Sequence, residues 1–253
     1  MKAIGLFLSV LLQISDPVVS RVGFEQKLGA SLDRSIVLRD EDGQPVRVGD
    51  LFKGRSIVLT PVYYECPMLC SMQLNGLVRA LKVMRGSAGK EFDVLTFSID
   101  AGETPETARE RKARYAREYG RPGAAAGWRF LTGDAESIER LAENIGFRFT
   151  RNPATGQIAH ASVLVTLTPD GRVAQYFGGI EYDPAELEES LRKASAGKTG
   201  SLIDRVLLYC YEYDPSTGRY SLAVLRAARL GGVATLCGLV ALAWWSSRRR
   251  RLA

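Results

Sequence analysis

The sequence predicts an α/β domain of the thioredoxin-like kind followed by a C-terminal transmembrane helix, and three observations predict it. Strand-like and helix-like stretches alternate through residues 35–194, which is the pattern of a layered α/β fold. One apolar strand, Ser56-Ile57-Val58-Leu59-Thr60-Pro61-Val62-Tyr63, delivers Cys66 and Cys70 onto the start of a helix. Near the end of the chain, residues 230–245 form an uncharged run.

The elements follow in order. Ser35-Ile36-Val37-Leu38 reads as a strand, Asp40 to Pro45 as a turn, and Val46-Arg47-Val48 as the returning strand of a hairpin. Beyond Cys70, Met72, Leu74, Leu77, Val78, Leu81 and Met84 recur at helical spacing, and the helix stops near Arg85-Gly86. Phe92 to Ile99 is a strand by length and β-branched content. Thr104 caps the next helix, with Pro105 in its first turn and Gly120 as its stop. The arginines from Arg109 to Arg117 read most simply as a solvated face.

Trp128 to Leu131 is a short strand, Asp134 caps a helix through Ile145-Gly146, and Phe147 to Thr150 alternates as a strand. Asn152 to Gly156 turns the chain. His160 is placed just before the strand Ser162 to Leu167, and Pro169-Asp170-Gly171 makes a hairpin into Val173 to Phe177. Asp183-Pro184 starts a last helix to about Ala194.

Composition bounds the class. The 253 residues leave room for one domain of about 150–200 residues with appendages. At 46% apolar residues the chain can fill a core without disulfide staples. The formal charge is +6, but four positives are the terminal run Arg248 to Arg251. The body is near neutral, and no basic patch is interleaved with aromatics, so nucleic acid is not an expected partner.

Met1-Lys2 and the short apolar stretch Ala3 to Leu12 have the form of a secretory signal, with Val18-Val19-Ser20 at the cleavage position. An uncleaved anchor is the alternative. Residues 230–245 reach spanning length when extended back through Leu222 to Leu225, with Arg226 and Arg229 snorkelling. Trp244, Trp245 and the four arginines would then sit at the cytoplasmic face; a buried or amphipathic terminal helix is the alternative. The expected division is a signal peptide over 1–20, the thioredoxin-like domain over 21–195, a linker and juxtamembrane segment over 196–221, a transmembrane helix over 222–245 and a cytoplasmic tail over 246–253. The domain would then lie on the extracytoplasmic, periplasmic side of the cell membrane.

The chemistry concentrates in Cys66, Cys70 and His160, the one histidine in the chain. Positions i and i+4 of a helix face the same way, so two thiols there can chelate one ion or form a disulfide. A helix start lowers thiol pKa values and raises the thiolate fraction. Two thiolates and an imidazole make a soft, low-coordinate set that favours Cu(I), whereas zinc usually takes a fourth ligand. The pair alone leaves redox work equally open, and a buried cysteine is often a plain small hydrophobe. Met68 more simply packs than ligates, Cys210 lies outside the core domain, and Cys237 falls in the uncharged run.

Tyr64-Glu65-Cys66-Pro67-Met68-Leu69-Cys70, Phe97-Ser98-Ile99-Asp100, Phe130-Leu131-Thr132-Gly133, His160, and Pro169-Asp170-Gly171-Arg172 through Tyr176-Phe177-Gly178 resemble the Sco/SenC family. The match runs from about Ser35 to Leu191 in consistent order. The resemblance implies a thioredoxin-like fold, copper bound as Cu(I) or Cu(II), and Cys66, Cys70 and His160 as metal ligands. It implies a membrane-tethered chaperone that assembles the dinuclear copper site of cytochrome c oxidase subunit II, with other copper chaperones or thiol reductants as further partners. The alternative is a thiol–disulfide oxidoreductase in which Cys66 and Cys70 are a catalytic redox pair that reduces the target's copper-ligand cysteines. A peroxidase-like enzyme or a copper-responsive signalling protein is a third class. This chain has Ala159 where many relatives have Asp before the histidine, Ala101 where many have Pro, and its expected anchor at the C-terminus rather than the N-terminus.

Overall fold

In the computed structural model of the chain, residues 22–65, 69–152, 156–200, 213–214, 219–220, 231–233 and 235 are described. The chain divides into two compact units, Met1–Leu202 and Ile203–Ala253.

The first unit is built on a five-stranded sheet. Its strands are β4 (Ser56–Val62), β5 (Phe92–Ser98), β6 (Trp128–Leu131), β9 (Val163–Leu167) and β10 (Val173–Gly178), in spatial order β10-β9-β4-β5-β6. β4, β5 and β6 run parallel, and β9 and β10 are antiparallel. Every residue of β4, β5 and β9 is buried. Strands covered on both faces read as continuous apolar runs, which is why alternation is weak in this part of the sequence.

Helix α1 (Leu69–Val83), α2 (Pro105–Tyr119) and α5 (Pro184–Ser195) share one core with the sheet. Leu74, Leu77, Val78 and Leu81 of α1 meet Val58, Val62, Val94 and Leu164, while Tyr115 and Tyr119 of α2 join Trp128 and Phe130. Trp128 and Phe130 stack at 5.5 Å, and Tyr115 stacks on Phe130 at 6.1 Å. Between α2 and β6 lies a single turn, α3 (Ala124–Gly127), that the sequence pattern did not announce.

The remaining elements are smaller. β2 (Val37–Arg39) and β3 (Pro45–Arg47) form the expected hairpin. A second sheet joins β1 (Gly23–Phe24), β7 (Phe147–Arg151) and β8 (Ile158–His160) in the order β1-β7-β8, and α4 (Ala135–Asn144) precedes β7. The caps follow the sequence. Thr104 Oγ1 accepts from the Thr107 amide, Gly120 closes α2 at φ 69°, and Asp134 and Asp183 accept from first-turn amides of α4 and α5.

One expectation is refined and another is corrected. The arginines of α2 are largely solvated, with Arg109, Arg114 and Arg117 exposed, but Arg109 also donates to the Glu41 carbonyl at 3.0 Å, and Lys112 beside it pairs with the Glu41 carboxylate. Glu41 also takes Arg129, so a buried acid in the β2–β3 turn gathers cations from α2 and β6. The correction concerns the C-terminus. Among the described residues no helix is long and apolar enough to cross a membrane, which overturns the transmembrane helix expected over 222–245. The uncharged run is shorter than the roughly 20 residues a span needs, and lengthening it takes in Arg226 and Arg229. Of 222–245, Gly231–Val233 and Thr235 are described, as exposed helical residues. The other residues of that stretch lie outside the described residues, as do the expected signal (1–20) and basic tail (246–253). In the second unit Tyr213–Asp214 (β11) pairs antiparallel with Arg219–Tyr220 (β12), within a stretch read from sequence as linker.

Gly76 marks the tightest approach on α1. A Cβ there would lie 1.8 Å from the Ile180 carbonyl oxygen, so the helix can pass the loop after β10 only without a side chain. Helix propensity alone would favour alanine by about 1 kcal/mol. Gly76→Ala should instead lower stability by about 1–3 kcal/mol through overpacking, read as a shift in the denaturant midpoint.

Candidate metal centre

Sheet register decides what meets at the carboxyl end of β4. β9 pairs with β4 as Ile57↔Leu167, Val58↔Thr166 and Leu59↔Val165. Because the pairing is antiparallel, carrying the register onward sets Val62 level with Ser162, just after His160 in the chain. β5 is parallel to β4 and ends with Ser98 beside Val62. The approach to Cys66, the loop after β5 and the approach to β9 are therefore brought to one end of the sheet.

His160 is the last residue of β8, paired with Phe149 of β7. It lies just before β9, as the sequence suggested, but the turn after Arg151 also folds Ile158–His160 back onto β7 as a strand of its own, which the sequence did not announce. That turn closes through the Gly156 amide, which donates to the Asn152 carbonyl at 2.8 Å. His160 is buried, at 9% exposed. Its ring meets Tyr63 edge-on at 5.7 Å and Phe147 at 6.2 Å. His160 Nδ1 lies 2.8 Å from the Ala161 carbonyl oxygen. A carbonyl can only accept, so Nδ1 carries the proton and Nε2 carries the lone pair a metal takes. The Ala161 backbone carbonyl thus orients the imidazole, a part that a carboxylate, carbonyl or water can play beside a metal-binding histidine.

Of the three predicted ligands, His160 is described fully. Cys70 is the second residue of α1 by its backbone; its thiol, and Cys66, Pro67 and Met68 entirely, lie outside the described residues, as do Cys210 and Cys237. Among the described residues no group of three or more His, Cys, Asp or Glu could hold a metal ion, a set that excludes both thiols. The histidine ring is nevertheless brought against Tyr63, three residues before Cys66.

Several residues that hold this corner were not singled out from sequence. Tyr64 is buried, and its hydroxyl donates to the Leu131 carbonyl at 2.7 Å, which ties the exit from β4 to the end of β6. Burial, with the nearby Glu103 carboxylate, holds its phenol well above the usual range. Glu103 accepts from the Glu65 amide at 2.7 Å and from the Ser98 hydroxyl at 2.5 Å. Asp100, noticed only as part of a motif, pairs with Arg151 at 2.5 Å, and Arg151 also donates to the Gly156 carbonyl at 2.9 Å. The loop after β5 therefore holds both the turn before Cys66 and the β7–β8 hairpin that carries His160. Gln73, one turn into α1, donates to the Val163 carbonyl at 2.9 Å. A polar residue at an apolar-spaced helix position was the available signal for Gln73; nothing in the pattern marks Glu103.

The donor chemistry fits a soft ion. One imidazole has its tautomer fixed, and the two cysteines of the sequence flank the start of a helix whose N-terminal dipole favours thiolate. The class defined by fold and site is a thioredoxin-like domain with a cysteine pair at the carboxyl end of its central strand. The SCO1/SenC family model matches residues 25–196. The chain belongs to the SCO1/SenC family.

Solved structures share the fold. A candidate electron transfer protein of Aquifex aeolicus VF5 is similar at 29% identity and TM-score 0.58, over 68% of this chain and 96% of that one. Two others show the fold alone. Arabidopsis thaliana ScoI, solved with copper bound, is 20% identical with TM-score 0.52, over 67% of this chain and 98% of that one. BsSco, described as carrying a disulfide switch and as a member of the Sco family of cytochrome c oxidase assembly proteins, is 21% identical with TM-score 0.53, over 69% and 99%.

Burial raises the Glu103 pKa, against the opposing pull of its hydrogen bonds from Ser98, Tyr64 and Glu65. A carboxyl with a raised folded pKa holds its proton more tightly when folded. Its contribution to stability is present below the unfolded value and is lost as pH climbs through the folded value. Glu103→Gln keeps an acceptor for the Glu65 amide and removes the titration. It should therefore gain stability relative to the parent as pH rises from about 4 to about 7, read from melting temperatures. Glu103→Ala, with no acceptor, should be less stable than Glu103→Gln across that range.

Proposed function

We propose that Cys66, Cys70 and His160 hold one copper ion, and that the protein hands copper on during assembly of the dinuclear copper site in subunit II of cytochrome c oxidase. The observation that carries this reading is the contact between the His160 ring and Tyr63, which sets the imidazole beside the strand exit that leads to Cys66. Membership of the SCO1/SenC family, copper bound in a plant relative and the assembly role named for BsSco support the same reading. The work is proposed to take place outside the cytoplasm, as the signal-like N-terminal stretch suggests.

In this reading copper is cargo. The two thiolates and the imidazole form a soft, low-coordinate set that suits Cu(I) and leaves room for an incoming ligand from the recipient. The Ala161 carbonyl keeps the Nδ1 proton in place, so the ring presents Nε2 without a tautomer change. Phe147 and Tyr63 fix the ring plane and keep water from much of it.

A second reading is favoured by the cysteine pair at the start of α1 and by the disulfide switch named for BsSco. In it Cys66 and Cys70 are oxidised to a disulfide while a disulfide of the target is reduced to two thiols. A thiol reductant would then return the pair to two thiols, its own thiols being oxidised to a disulfide.

One substitution separates the two readings. The reduced protein should bind one equivalent of Cu(I), and His160→Ala should weaken that binding by more than about 100-fold, exceeding the loss typical of an outer-shell partner. The same variant should retain disulfide exchange with a subunit II peptide. Unchanged copper affinity in His160→Ala would sink the three-ligand site.

A further inference from the structure

The central strand contains a proline where a sheet normally needs a donor. Pro61 lies within β4, a strand paired on both sides. Proline lacks the amide hydrogen and removes a ladder bond, so it is unusual in such a strand. Pairing with β9 is recorded as far as Leu59↔Val165, and the same register sets Pro61 level with Val163. The Ser162 carbonyl accepts from the Gly179 amide at 3.0 Å and so points towards the β10 side. Successive carbonyls along a strand point to opposite sides, so the Val163 carbonyl points towards β4, where Pro61 has no hydrogen to give.

Gln73 fills that place. It is wholly buried on α1, and its Nε2 donates to the Val163 carbonyl at 2.9 Å. A carbonyl can only accept, which fixes the amide with its nitrogen towards Val163. The bond spans 90 residues of chain. Gln73 lies three residues beyond Cys70, and Val163 lies three residues beyond His160. It is therefore a direct tie between the element that starts at the cysteine pair and the strand that follows the histidine.

We propose that Gln73 is a positioning residue for the copper site: its amide replaces the hydrogen bond that Pro61 cannot make, and so sets the spacing between Cys70 and His160. The inference rests on the three-ligand reading of the site. A ladder bond from β4 would satisfy the Val163 carbonyl equally well, but it would leave α1 joined to β9 by apolar packing alone at this point. The pairing of Pro61 with Gln73 moves the bond from strand–strand to helix–strand, which couples the two halves of the site.

The test measures Cu(I) affinity by competition with a chromophoric chelator, and apoprotein melting temperature alongside. The chains compared are the parent, Gln73→Met, His160→Ala, Gln73→Met with His160→Ala, and Gln73→Met with Pro61→Val. Gln73→Met should weaken copper binding about tenfold, in the range seen when a ligand's supporting partner is lost. Adding it to His160→Ala should cost nothing further, because Gln73 acts through the placement of that ligand. Pro61→Val restores the backbone donor, so in the Gln73→Met background it should recover melting temperature but not copper affinity. Recovery of affinity together with stability, a full additional loss in the His160→Ala background, or parental affinity in Gln73→Met would each overturn the proposal while leaving the three-ligand site standing. Unchanged affinity in His160→Ala alone would instead remove the reading on which it rests.

Discussion

The antiparallel register of β9 on β4 is the constraint on which the rest of the site depends. Cys66 and His160 are separated by more than ninety residues of chain, yet Leu59↔Val165 brings their approaches to one end of the sheet. A one-residue slip would turn every buried side chain of β9 to the opposite face. Val163, Val165 and Leu167 fall on one buried face of β9 and Leu164 and Thr166 on the other, so apolar alternation alone discriminates weakly against a slip. Polar ties add to it: Gln73 to Val163, the Ser162 hydroxyl to the Gly179 carbonyl at 2.8 Å, and the Thr166 hydroxyl with that of Ser190 at 2.8 Å.

Around this corner the fold uses polar side chains, buried at Tyr64 and Gln73 and half-buried at Glu103, to tie separate segments together. Tyr64, Glu103 and Gln73 each bond to backbone on an element other than their own. Leaving such a backbone group unpaired costs about 1–3 kcal/mol, more than a typical bond contributes when made. The result is a frame in which the turn before Cys66 and the hairpin bearing His160 are both held by the loop after β5, through Glu103 and through Asp100 with Arg151. A metal exchanged between proteins calls for ligands whose geometry is set before the ion arrives, and this frame supplies that for the histidine.

Much of this fold was legible in the sequence, because the signals were local. Thr104, Pro105 and Gly120 mark the ends of α2 through cap chemistry, and Asp134 and Asp183 do the same for α4 and α5. Non-local facts were not legible. His160 does precede β9 as expected, but the strand it closes, β8, was not foreseen, since its pairing with β7 depends on the turn between them. The arginines of α2 are largely the solvated face the sequence suggested, but the contacts of Arg109 and Lys112 with Glu41 were not legible, because Glu41 lies about seventy residues away in sequence. The C-terminal uncharged run illustrates the opposite failure. Hydropathy alone suggested a span, and the described residues contain no helix long and apolar enough to be one. Membership of the SCO1/SenC family, by contrast, was carried by short motifs and is matched over residues 25–196.

The central claim is that two thiolates and the His160 imidazole share one copper ion. The most direct measurement is copper K-edge X-ray absorption on the reduced protein loaded with one equivalent of Cu(I). Two sulfur scatterers and one imidazole nitrogen in the first shell are the predicted result. A shell of sulfur alone, with no imidazole scattering, would contradict it.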